Sequence, residues 1–131
     1  MFCKISGCYY MNIQQSTKNT GNTAEDIVVN KLKSDGFTIV SRNVWVGRYG
    51  EIDIVSRRGC VTHYIEVKSA QGNSGFPAEF HFNRVKHRKV VRLARFLANR
   101  DGIEEYQVDL AAVTFESTGA VTIKFYEGIN E

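Results

Sequence analysis

The sequence predicts an α/β fold in the order helix, three strands, helix, two strands. Three observations carry this expectation. Two segments, 24–32 and 90–97, place apolar residues at helical spacing, and two runs, 51–54 and 64–68, alternate charged and aliphatic residues at the period of a strand. At 131 residues, 43% hydrophobic and 24% charged with one proline, the chain has the size and composition of one soluble globular domain and not of a disordered or fibrous one.

Residues 1–20, with the polar run 14–22 at their end, read as a loosely ordered leader, and 21–131 as a single domain. The first helix is signalled by Thr23 with Asp26 three residues on, by Ala24, Ile27, Val28 and Leu32 on one face, and by Gly36 at its end. Residues 37–40, 51–55 and 61–68 are β-rich and form a consecutive antiparallel meander, and 73–77 is a loop marked by glycine and proline. Val90, Leu93, Ala94 and Leu97 line one face of a second helix, stopped by Asp101-Gly102. Residues 108–113 and 121–125 are two last strands around a turn at 117–119, the first of them able to pair in parallel with the meander. Together these elements give a sheet flanked by helices.

The net charge is only +3, but residues 84–100 hold seven cations and no acid, which leaves the rest of the chain at −4. Arg84, Arg88, Arg92 and Arg95 recur every three or four residues opposite the apolar face. Such a stripe, without the interleaved acids that pair charges on ordinary surface helices, suits phosphate contact. Arg48, in a glycine-flanked loop, can reach the same substrate. Cys3, Cys8 and Cys60 have neither disulfide nor zinc spacing, so a reducing cytoplasm is the simplest setting, and no apolar run is long enough to span a bilayer. His63, His81 and His87 lack mutual ligand spacing and read as structural or surface groups.

The chemistry concentrates in Glu51-Ile52-Asp53-Ile54 and Tyr64-Ile65-Glu66-Val67-Lys68. Alternation sets Glu51 with Asp53 and Glu66 with Lys68, and an even-numbered turn brings the two charged faces together. With a turn at Arg58-Gly59 or at 57–60, Glu51 opposes Glu66, and Asp53 is its diagonal neighbour, about 7 to 8 Å away at the backbone. Carboxylates so placed repel unless one is protonated or a cation lies between them. Mg²⁺, a hard cation taking one or two carboxylates and a substrate phosphate, meets this need, and Lys68 can orient water or hold charge on a phosphate oxygen.

Asp53 followed by Glu66-Val67-Lys68 resembles the signature of the PD-(D/E)XK nucleases, whose restriction-endonuclease-like core has the same element order. More closely, Gly21-x-x-Ala24-Glu25-Asp26, Arg42-Asn43, Gly50-Glu51-Ile52-Asp53, Ile65-Glu66-Val67-Lys68, Phe76-x-Ala78-Glu79, Lys86 and Val108-Asp109 resemble the bacterial YraN family, related to archaeal Holliday-junction resolvases. The chain differs from that pattern at Ala24, at Ser69-Ala70 and at Gln107-Val108. The resemblance implies Asp53, Glu66 and the Val67 carbonyl as metal ligands for Mg²⁺ or Mn²⁺, Lys68 as the catalytic lysine and Glu25 as a further acid. It implies a metal-dependent endonuclease on DNA, with branched or structured DNA favoured and a homodimer as a working unit. The alternative from another class is a non-catalytic nucleic-acid-binding module on the same fold, which keeps the basic helix without hydrolysis. A nucleotide or other phosphoester hydrolase is a third reading, for which the sequence has no P-loop.

Overall fold

A computed structural model of the chain describes residues 4–12 and 20–130. They form β1 (Lys4–Asn12), α1 (Thr20–Ser34), β2 (Thr38–Val46), β3 (Gly50–Arg58), β4 (Val61–Gln71), a short 3-10 turn (Ala78–His81), α2 (Arg84–Asp101), β5 (Tyr106–Phe115) and β6 (Ala120–Glu127). One six-stranded mixed sheet runs in the order β1-β6-β5-β4-β3-β2. The α/β class and the helix, three strands, helix, strand, strand order are those expected, compatible with a restriction-endonuclease-like core. Part of the leader differs from expectation: residues 4–12 are an edge strand antiparallel to β6. The rest of the expected leader up to residue 19 lies outside the described residues.

Among the described residues the one parallel pair is β4 with β5, aligned from Thr62 with Tyr106 to Gln71 with Phe115, and α2 is the crossover between them. On β5 the parity of the side chains assigns the helices to opposite faces. Val108 and Leu110 pack with Val90, Leu93, Ala94 and Leu97 of α2, whereas Ala111 and Val113 pack with Ala24, Ile27, Val28 and Leu32 of α1. Each large aliphatic side chain buried in these clusters contributes roughly 1.5 to 3 kcal/mol by leaving water. Residues 52–56 and 62–66 are buried without alternation because helices cover both faces.

α1 starts at Thr20, three residues before the expected cap, and ends in a Schellman motif. Gly36, at φ 89°, allows Phe37 N–H to reach Leu32 O at 3.0 Å and Gly36 N–H to reach Lys33 O at 3.1 Å. α2 is capped by the Asn83 side chain, which accepts from Lys86 N–H at 3.0 Å. Its five buried residues are Val90, Leu93, Ala94, Leu97 and Ala98, the expected face plus one.

Two motif positions hold the frame. Asp109 is buried and accepts from Gln107 Nε2 at 2.8 Å and Gly128 N–H at 3.0 Å, while its Oδ2 lies 2.7 Å from His63 Nδ1. His63 is thus the structural residue expected of it. Glu79 receives the Tyr126 hydroxyl and lies 3.7 Å from Lys124 Nζ, fastening the 3-10 turn to β6. Truncation of Asp109 would leave buried His63 and the half-buried Gln107 side chain and Gly128 N–H without their shared partner. Asp109→Ala is therefore expected to lower unfolding stability by about 3 kcal/mol or more in a urea titration followed by circular dichroism.

Candidate metal and catalytic centre

Asp53 sits where β2 leaves out one pair with β3 and β4 stops pairing with it. Pairing of β2 with β3 runs from Arg42 opposite Ile54 to Val44 opposite Ile52, with Asn43 and Asp53 left between, and Asn43 takes the left-handed conformation at φ 51°. On the other side the β3–β4 ladder ends at Ile54 opposite Ile65. Beyond that point the Val67 N–H donates to Asp53 Oδ2 at 2.8 Å instead of to a β3 carbonyl. The side chain of Asp53 therefore fills the gap where the two strands part.

The hairpin register is a correction to the expected one. The turn is Gly59-Cys60 and Val55, not Asp53, opposes Tyr64. The shift is two residues, so parity is unchanged and the charged faces still coincide. Continued past Ile54, the register sets Asp53 directly opposite Glu66 instead of diagonal to it. Strict alternation also fails at this point: Ile52 packs in the α2 cluster and Ile54 in the α1 cluster.

Glu25 arrives from the first buried turns of α1. Asn43 Nδ2 lies 3.4 and 3.3 Å from its two carboxylate oxygens, and Arg42 Nη2 lies 3.6 Å from Oε2 and 2.7 Å from Asp26 Oδ1. The Arg42-Asn43 pair thus ties β2 to the acidic end of the helix. Among the described residues, Glu25, Glu51 and Asp53 bring one carboxylate oxygen each within 4.8 Å of one another. Glu66 is adjacent and paired with Lys68 Nζ at 3.0 Å. These residues line a cavity of 360 Å³, with Val67 on its wall. Burial, then the Glu66 carboxylate, and beyond it those of Glu25 and Glu51, push the Asp53 carboxyl up to about 8, against the lowering effect of the Val67 N–H.

Four expected residues, Glu25, Asp53, Glu66 and Lys68, therefore share one cavity, and Glu51 joins them. It was expected opposite Glu66, whereas the observed register, continued past Ile54, sets Lys68 opposite it. None of Arg48, Arg84, Arg88, Arg92 and Arg95 lines that cavity; the cations that do, besides Lys68, are Lys86 and Lys89 of α2. Lys89 lies across Gly50, whose φ of 139° and absent side chain make room for it: a β-carbon there would stand 2.5 Å from Lys89 Cε. Helical phase hides this in the sequence, because Lys86 and Lys89 look like members of the same solvated helix as the arginines. Trp45, also on the cavity wall, is 65% exposed.

Residues 24–113 match the model of a family described as uncharacterised protein family UPF0102. The chain is similar to a UPF0102 protein of Campylobacter lari, 33% identical over 94 residues that cover 71% of this chain and 81% of the other. It is 37% identical to one from Anaeromyxobacter over 110 residues, 82% of this chain and 81% of that protein. A relative from Campylobacter hominis is 31% identical over 111 residues, 84% and 92% of the two chains.

The raised Asp53 carboxyl has a consequence for stability without metal. The folded state holds this proton to higher pH than the unfolded chain, whose aspartates titrate near 3.8, so its stabilising effect is complete below that value and is lost as pH rises through about 8. In EDTA, melting temperature is expected to fall between pH 5 and pH 9 more steeply for the wild type than for Asp53→Asn, which keeps an acceptor for Val67 N–H. Parallel slopes would contradict the buried, crowded carboxyl.

Proposed function

The chain belongs to the UPF0102 family, and from that premise and the site geometry we propose that it is a metal-dependent nuclease hydrolysing phosphodiester bonds in DNA. The observation that carries the reading is the convergence of Glu25, Glu51 and Asp53 beside the Glu66–Lys68 pair, on elements that otherwise have no reason to crowd four acids together. Buried carboxylates without matching cations are costly, and an oxygen-only donor set suits a hard divalent ion such as Mg²⁺, with Mn²⁺ as a substitute. Asp53, Glu51 and Glu25 would hold it, and Glu66 and the Val67 carbonyl are the ligands that the family resemblance implies beside Asp53. When bound, such an ion polarises the scissile phosphate and favours ionisation of the attacking water.

The chain's own groups have separable tasks. Glu66 fixes the Lys68 ammonium at 3.0 Å, so that Lys68 faces the cavity already oriented to hold water or to balance charge on a phosphate oxygen. Asn43 and Arg42 hold Glu25 against α1. Lys86, whose ammonium donates to the His81 carbonyl at 2.8 Å, and Lys89 are two further cations on the wall of the cavity, where they can receive phosphates next to the one cut. The exposed Arg84, Arg88, Arg92 and Arg95 stripe continues this positive surface along α2, and Arg48 lies in the turn before β3. Branched or structured DNA is the substrate class favoured by the resolvase resemblance.

Purified protein with Mg²⁺ is expected to nick or cut at least one of supercoiled plasmid, single strand, flap and four-way junction, and to stop when EDTA is added. Asp53→Ala and Lys68→Ala are each expected to reduce cutting by about a hundredfold or more while the thermal melt stays cooperative. Undiminished cutting by Asp53→Ala would defeat the assignment.

A further inference from the structure

We propose that a second cavity, next to the acidic one, receives unpaired nucleotides of the DNA strand, with Tyr49 and Phe96 as stacking surfaces; this rests on the nuclease reading and specifies its substrate. The cavity measures 480 Å³, in the range of pockets that hold small ligands, and it shares Lys89 and Leu93 with the acidic cavity. The two therefore meet at one wall.

Its lining joins exposed apolar groups to cations. Tyr49 is 69% exposed, Val85 73% and Phe96 53%; Val40, Trp45, Phe76 and Phe80 are exposed as well, but none of those four lines this cavity. Val85, Arg88, Lys89, Arg92 and Phe96 follow one another at helical spacing, so apolar and cationic groups are interleaved on one stripe of α2, opposite Tyr49 of the β2–β3 turn. The turn is fixed by Tyr49 N–H donating to Val46 O at 2.9 Å. Among the described residues no acid pairs with Arg88, Lys89 or Arg92.

Charge and apolar surface together select the occupant. A paired duplex presents phosphates to such a stripe but keeps the faces of its bases stacked inside, out of reach of Tyr49 and Phe96. An unpaired strand presents both at every nucleotide: a phosphate for Arg88, Lys89 and Arg92, and a π-face for the aromatic rings. A strand running from this cavity over Lys89 enters the acidic one, where its next phosphate meets Asp53 and Lys68. Single-stranded segments next to a duplex, as in flaps, bubbles and branch points, satisfy this path.

The test is fluorescence anisotropy in EDTA, with a short labelled oligonucleotide offered single-stranded or as a blunt duplex. The single strand is expected to bind about tenfold or more tightly than the duplex. Tyr49→Ala and Phe96→Ala are each expected to weaken it about fivefold or more, and Tyr49→Phe, which keeps the ring, to retain it. Equal affinity for the duplex, or alanine variants that bind as the wild type does, would overturn the proposal even if the enzyme cuts DNA with Mg²⁺. Tyr49-dependent capture of an acidic aromatic peptide with no response to the oligonucleotide would assign the surface to a protein partner and overturn it too. Conversely, ring-dependent single-strand binding with no cleavage of any substrate would uphold this cavity and remove the nuclease reading.

Discussion

The position of Asp53 in the gap between strands is the constraint on which the rest of the site depends. A carboxylate in mid-sheet is normally displaced to solvent or neutralised, because a buried charge without a partner is expensive. Here β2 skips its partner at Asn43, β4 ends its ladder at Ile65, and the carboxylate accepts the Val67 amide that the departing strand would have satisfied. One side chain thereby repairs a break in the hydrogen-bonding and is placed, nearly buried, against Glu66, Glu25 and Glu51. The same break opens the cavity in which they meet.

The surrounding motifs then fall into physical roles. Arg42 and Asn43 bind the acidic turn of α1 to the β2 edge of the gap, so the helix cannot move away from the repulsion it helps to create. Asp109 and Glu79 do their work elsewhere in the fold, through His63, Gln107 and Gly128 in one case and Tyr126 and Lys124 in the other. The substitution at Gln107, a departure from the related pattern, keeps a hydrogen bond to Asp109. The glycine before Glu51 has its own role, since only an absent side chain leaves Lys89 its place over the rim.

Electrostatically the molecule has an acidic cavity faced by two lysines and a cationic helix that continues past it. The net charge of +3 conceals this division. The helix also explains why its cations do not act alike. α2 turns Val90, Leu93 and Leu97 into the core, sets Lys86 on the acidic cavity, Arg88 and Arg92 on the aromatic one and Lys89 on both, so a single basic segment serves two adjoining surfaces.

Periodicity marked the two helices, the five strands of the domain and, given an even-numbered turn, the shared face of Asp53, Glu66 and Lys68. It did not determine the two-residue slip, which preserves the faces and changes only which residues are opposite; the Gly59-Cys60 turn decided that. Nor could it place residues 4–12, whose pairing with β6 is a long-range contact without a local signal. Tertiary structure alone brought Glu51 beside Glu25, set Lys89 in the wall that the two cavities share, and left Tyr49 and Phe96 facing one of them. Local sequence fixes which face a side chain takes, but where strands stop pairing, and which helix face meets which rim, depends on how the elements pack.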